Sequence, residues 1–160
     1  MKNEQPSSRE VVIKEYPRST RWIEGRRIVG EGNLILTSER LVFLNRAALS
    51  QWHAEKIKEM ETAPMSEGLD FALTLHKKNF QIPLSSVLSA DRCRIGLLPF
   101  PRFYLRITYL GGSKHKEKSA AFMFTIPLLK GFFQLEFTTV MGWVWMIRKV
   151  LLAKKQGLKR

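Results

Sequence analysis

The chain has 160 residues, 44% of them hydrophobic, with 27 Lys and Arg against 14 Asp and Glu, a formal net charge of +13. That length suits one domain with a core that needs no staples, and the lone cysteine, Cys93, excludes an internal disulfide framework and a multi-cysteine zinc site. The charge draws a protein towards phosphate-rich polymers and anionic membranes without choosing between them, and it also serves plain solubility.

Residues 1–9 are polar and include Pro6-Ser7-Ser8, a flexible tail ahead of a single domain over residues 10–156. The N-terminus has no apolar run, so no signal peptide is expected. Glu10 to Tyr16 reads as a short strand or an ordered lead-in, ended by Pro17. Thr20 to Val29 reads as the first long strand, with a bulge at Gly25, and Gly30-Glu31-Gly32 as the turn that follows. From Gly32 onward the pattern is strongest. Leu34 and Leu36 alternate with Asn33, Ile35 and Thr37; Leu41 and Phe43 alternate with Arg40, Val42 and Leu44; Thr37-Ser38-Glu39-Arg40 lies between. Two alternating runs about a short polar turn predict a β-hairpin. Its second face is also apolar, which places it inside a sheet rather than at an edge.

Beyond Asn45, Leu49, Trp52 or His53, Lys56 or Ile57, and Met60 recur at steps of three and four, which predicts an amphipathic helix over about 46–61. Ala63 to Gly68 breaks it. Leu69, Phe71, Leu73 and Leu75 then alternate strictly with polar or small residues, which predicts a strand. Lys77-Lys78-Asn79 is its turn, and Phe80, Ile82 and Leu84 continue in the partner strand. Further strands are expected over Ser89–Leu98, Phe103–Leu110 and Ala120–Ile126, with Pro99-Phe100-Pro101 as a rigid connector and a charged tip at Lys114–Lys118.

Glu136 to Lys155 predicts a closing helix. Phe137, Val140, Met141, Val144, Ile147 and Leu151 share one face; Trp143, Trp145 and Met146 widen it; Arg148, Lys149, Lys154 and Lys155 favour the dipole at its C-terminal end. Charges interrupt every window of about 18–20 residues, so no transmembrane span is expected. Trp143 and Trp145 beside a basic end fit either a helix resting on a membrane surface or a cap on the core.

The hairpin resembles the signature of GRAM and bacterial pleckstrin-homology-like domains: Gly32, Leu34, Leu36 and Thr37 match Gly-x-Leu-x-Leu-Thr, and Arg40, Leu41 and Phe43 match Arg-Leu-x-Phe. Ile82-Pro83-Leu84 with Val87 is similar to the next landmark of that family, and Phe103 to Tyr109 to a later strand. The resemblance covers roughly residues 20–155. It implies a mainly β (α+β) fold, a bent antiparallel β-barrel closed by a C-terminal helix. More than thirty residues between the Arg-Leu-x-Phe strand and Ile82-Pro83-Leu84 form an insertion relative to the family pattern. In relatives that bind phosphoinositides, basic residues near the first hairpin hold the phosphates, which implies Arg26 and Arg27 here.

No arrangement in the sequence points to catalysis. His53, His76 and His115 share no ligand spacing, Ser85 and Ser86 lack a nucleophile-elbow context, and no glycine-rich phosphate loop is present. Cys93 between Arg92 and Arg94 is either a thiolate favoured by two cations or an inert strand thiol. We therefore expect a non-enzymatic binding module with no catalytic residue, metal or cofactor. It would be cytoplasmic and able to sit at the inner face of a membrane. Its expected partners are anionic membrane lipids, held by Arg26, Arg27, Lys114, Lys116 and Lys118, with Trp143 and Trp145 as interaction residues. The alternative is a protein partner, docked through the inserted helix around Trp52 or through a strand edge. Specific nucleic-acid recognition is not expected, because the basic–aromatic pattern of RNA-binding sheets is missing.

Overall fold

The predicted hairpin lies inside the sheet, away from both edges. A computed structural model describes residues 10–24, 27–47, 65–95, 102–112, 115–125 and 132–157. In order they form β1 (Val12–Glu24), β2 (Arg27–Thr37), β3 (Arg40–Asn45), α1 (Met65–Thr74), β4 (Phe80–Pro83), a 3-10 turn (Leu84–Ser86), β5 (Val87–Ile95), β6 (Arg102–Gly111), β7 (Lys116–Phe124) and α2 (Phe132–Gly157). The seven described strands make one antiparallel sheet in the order β4-β3-β2-β1-β7-β6-β5. Both hairpin strands are flanked on either side, as their two apolar faces require. The sheet is not closed by pairing; β4 and β5 are its ends.

It is nevertheless strongly curled. Phe80 on β4 lies four strands from β7, a separation of about 19 Å in a flat sheet. Yet its ring stacks on Phe122 of β7 with centroids 6.1 Å apart. The enclosed core takes Leu34 and Leu36 from β2, Leu41 and Phe43 from β3, Leu105 and Ile107 from β6, and Phe122 and Phe124 from β7. The predicted closing helix is present as α2. It covers this core with Val140, Trp143, Val144 and Ile147, which recur at helical spacing.

The outer face of the hairpin is covered too. Ile35, Val42 and Leu44 form a second buried cluster with Leu69 and Ala72 of α1. This corrects the strand expected over Leu69–Leu75. The alternation there spans seven residues, and the same stretch also contains an i, i+3 pair, Leu69 and Ala72. Those two are buried, whereas Phe71 is 43% exposed. Burial thus follows the helical period, set by the apolar outer face waiting on β2 and β3. Glu67 in the first turn complements the helix dipole.

Further boundaries differ from expectation, among them Leu84, which opens a 3-10 turn rather than continuing β4, and Lys116 to Lys118, which lie inside β7 rather than in a hairpin tip. β1 runs through Pro17, because register shifts between Tyr16 and Thr20 release that position from the ladder. Thr20 to Val29 is not one strand: Glu24 pairs with Arg27, so the chain reverses between them. Gly30-Glu31-Gly32 lies inside β2 rather than in a turn. Of the helix expected over 46–61, Arg46 and Ala47 are helical, and Asn45 Oδ1 accepts the Ala47 N–H at 3.1 Å as an N-cap does. The rest, with Trp52, lies outside the described residues, as do residues 1–9 and 96–98.

Arg40 of β3 fastens α1, β4 and the segment leading into β1 together. Its guanidinium donates to Glu10 at 2.9 and 3.0 Å, to Asp70 of α1, and to Gln81 of β4 at 2.6 Å. Burial alone would lower its pKa, but the hydrogen bonds to Glu10 and Asp70 outweigh that and hold it above its ordinary value. The Arg40 and Glu10 side chains are 12% and 10% exposed, against 61% for Asp70. Arg40→Met leaves the Glu10 carboxylate buried without its cation. The expected loss is about 2–3 kcal/mol in urea denaturation, short of a fully buried pair because Asp70 faces water. Arg21→Met, which opens an ion pair with both side chains at least one-third exposed, should cost under about 1 kcal/mol. Equal losses would show that the Arg40 cluster is not a structural fastening.

Candidate functional site

Two strand tips and one turn converge on a cavity of about 230 Å³. Trp22 and Glu24 come from the end of β1, Lys77 and Lys78 from the turn before β4, and Tyr109 and Ser119 from β6 and β7. The turn is held from inside. Asn79 Oδ1 accepts the Asn45 N–H at 2.7 Å, and Asn79 Nδ2 donates to the Ala72 carbonyl at 2.7 Å. One side chain thereby joins the ends of β3 and α1 and fixes where Lys77 and Lys78 emerge. Lys78 Nζ donates to the Val29 carbonyl at 2.6 Å, which holds its charge against β2.

The floor is aromatic. Phe80 packs on Trp22 at 4.7 Å and on Phe43 at 5.6 Å between centroids. Burial pushes the Tyr109 phenol up in pKa, and the Glu24 carboxylate pushes it further. Tyr109 therefore stays protonated and able to donate at neutral pH. The volume is below the ~300–1,000 Å³ of most small-molecule sites, so it suits a small polar group. Chemically the site offers cations, a phenol, a hydroxyl and an aromatic base, and Glu24 as an opposing charge.

The residues expected to hold phosphate fall into two groups. Arg27 is the cross-strand partner of the wall residue Glu24, and Lys118 that of the wall residue Tyr109. Both are exposed, and neither lines the cavity itself. Lys116 pairs with Gly111 further out on the same tip. Arg26 and Lys114 lie outside the described residues. Lys77 and Lys78 stood out in the sequence only as a hairpin tip. Their place beside Tyr109 depends on the curl of the sheet, which brings β4 against β7 and which no local pattern encodes.

The two helix tryptophans separate. Trp143 is fully buried and Trp145 is 59% exposed. Residues two apart on a helix are about 200° apart around its axis, so they cannot share a surface. Trp143 is corrected to a core residue; it stacks on Phe124 at 5.6 Å. Cys93 is half-buried opposite Tyr104, while neighbouring Arg92 lies over the Phe103 and Phe137 rings.

Among the described residues, no helix is long and apolar enough to cross a membrane, and no group of three or more His, Cys, Asp or Glu is placed to hold a metal ion. Comparison with protein-family models finds none that matches this chain, and comparison with curated proteins finds no match either.

Proposed function

We propose that this chain is a non-enzymatic, pleckstrin-homology-like binding module that associates peripherally with anionic membrane lipid at the inner face of a membrane. The observation that carries the reading is the cavity walled by Lys77, Lys78 and Tyr109, with Arg27 and Lys118 as the exposed cross-strand partners of its wall residues Glu24 and Tyr109. It lies at the tip of the first hairpin, where the family resemblance implies a phosphate site. The curled antiparallel sheet covered by α2 and the net charge of +13 support the same reading.

The test is co-sedimentation with vesicles of neutral phosphatidylcholine and with vesicles containing phosphatidylserine or phosphoinositide, across a salt series and with single-stranded nucleic acid as competitor. The protein should pellet with the anionic vesicles alone, less so as salt rises. The double variant Arg27→Gln/Lys118→Gln should lower partitioning about thirtyfold, at about 1 kcal/mol for each cation near an anionic surface. Failure of the folded protein to pellet with anionic vesicles, or complete competition by nucleic acid, would sink the proposal.

A further inference from the structure

The solvent side of α2 is not the polar face expected of a helix that only closes a core. Met141, Trp145 and Leu152 are 39%, 59% and 59% exposed. At 100° per residue they fall within about 40° of one another around the axis. Lys149 and Lys155 fall on the same side, and Leu88 at the start of β5, 52% exposed, lies beside Leu152 and Lys155 across a shallow groove. The Lys149 ammonium sits over the Trp145 ring at 4.9 Å. From Phe137 to Gly157 the sequence holds four cations and no acid. The nearby Asp91 of β5 is already held by Arg148 at 2.9 Å.

We infer that this face is a second membrane contact: Trp145, Leu152 and Met141 enter the headgroup–acyl boundary of an anionic bilayer while Lys149 and Lys155 meet its phosphates. The inference rests on the lipid reading above and adds to it an apolar contact outside the cavity. Three features favour a bilayer as the occupant. The ridge is convex and about 21 Å long from Met141 to Lys155, a shape that a fluid surface accepts along its whole length. A tryptophan flanked by lysines is the side-chain pair that membrane interfaces favour. A second copy of the chain would set the same lysines against each other across a two-fold axis, with no acid on the face to offset them.

The experiment uses the full chain and vesicles of phosphatidylcholine with phosphatidylserine, with acyl chains brominated or plain. Brominated chains should quench the tryptophan emission of the bound protein, and Trp145→Phe should lose most of that quenching while still pelleting. Trp145→Ser/Leu152→Ser should partition about tenfold or more weakly, given the apolar area withdrawn from the boundary, with an unchanged melting temperature because both positions face solvent. If the protein pellets with anionic vesicles but is not quenched, and the double variant pellets as strongly as the parent, the inference is overturned and the cavity reading stands. If the folded parent does not pellet at all, both fall. A dimer that dissolves on Trp145→Ser/Leu152→Ser without lipid overturns the inference in favour of a second copy.

Discussion

Gly32→Ala is expected to remove about 4 kcal/mol or more of folding stability and to lower the melting temperature by roughly 10 °C. Gly32 is the crossing point of three strands, paired with Thr20 on β1 and Asn45 on β3. A Cβ there would lie 1.9 Å from the Leu44 carbonyl oxygen, 2.8 Å from the carbonyl carbon and 3.0 Å from the Asn45 Cα. These are backbone atoms, so no rotamer change relieves the clash. β3 would have to retreat, breaking its ladder with β2 and drawing Leu44 away from α1. Two other glycines calibrate the effect. At Gly30 a Cβ meets the Asn45 Nδ2 at 3.0 Å, a side-chain end that can yield, so Gly30→Ala should cost about 1 kcal/mol or less. At Gly68, inside α1, nothing lies within 4 Å, and Gly68→Ala should gain about 0.5–1 kcal/mol. Urea denaturation of the three variants reads the order directly. A Gly32→Ala protein no less stable than Gly30→Ala would mean that β2 and β3 do not approach as described.

The second large effect is Trp143→Ala, expected to cost about 3–5 kcal/mol. The indole is fully buried, lies nearly parallel to Phe124 with an interplanar angle of 17°, and has Lys14 Nζ 5.6 Å from its centroid on β1. Its removal opens a void between α2 and the strands that a rigid sheet cannot fill. Trp145→Ala, two residues on, should change stability by no more than about 0.5 kcal/mol. Thermal unfolding followed by circular dichroism separates the two. Similar losses at both positions would mean that α2 is rotated about its axis from the orientation described.

The same pair shows what the sequence could and could not disclose. Helical geometry alone sets Trp143 and Trp145 on opposite faces, and Val140, Val144 and Ile147 of the expected face are buried; the high apolar content of α2 all round blurred its margins, where Phe137 and Met141 are exposed. The hairpin was legible because Leu34, Leu36, Leu41 and Phe43 alternate without interruption and Thr37 closes the turn: its Oγ1 accepts the N–H groups of Glu39 and Arg40 at 3.1 and 2.9 Å. α1 was misread as a strand because seven residues satisfy both periods, and the tie is broken by Ile35, Val42 and Leu44 on other elements. The break expected at Pro17 and the turn expected at Gly30 to Gly32 came from treating proline and glycine as local punctuation. In this sheet a register shift takes up the first, and the close approach of β3 requires the last. Of the candidate site, the basic tips were visible as charge clusters. The aromatic floor was not, since Trp22, Phe80 and Tyr109 meet only through long-range pairing.

The position of β1 also governs how the molecule comes into being. The first of the described strands in chain order is the middle strand of the sheet, and its Tyr16 hydroxyl donates to the Thr125 carbonyl, 109 residues later in the chain, at 3.5 Å. One edge of β1 can pair at once with β2, while the other waits for β7 and the core waits for Trp143. A chain emerging from the ribosome at about 5–20 residues per second therefore carries an unpaired strand edge and an uncovered apolar interior for several seconds. Such non-local closure is slow even after release.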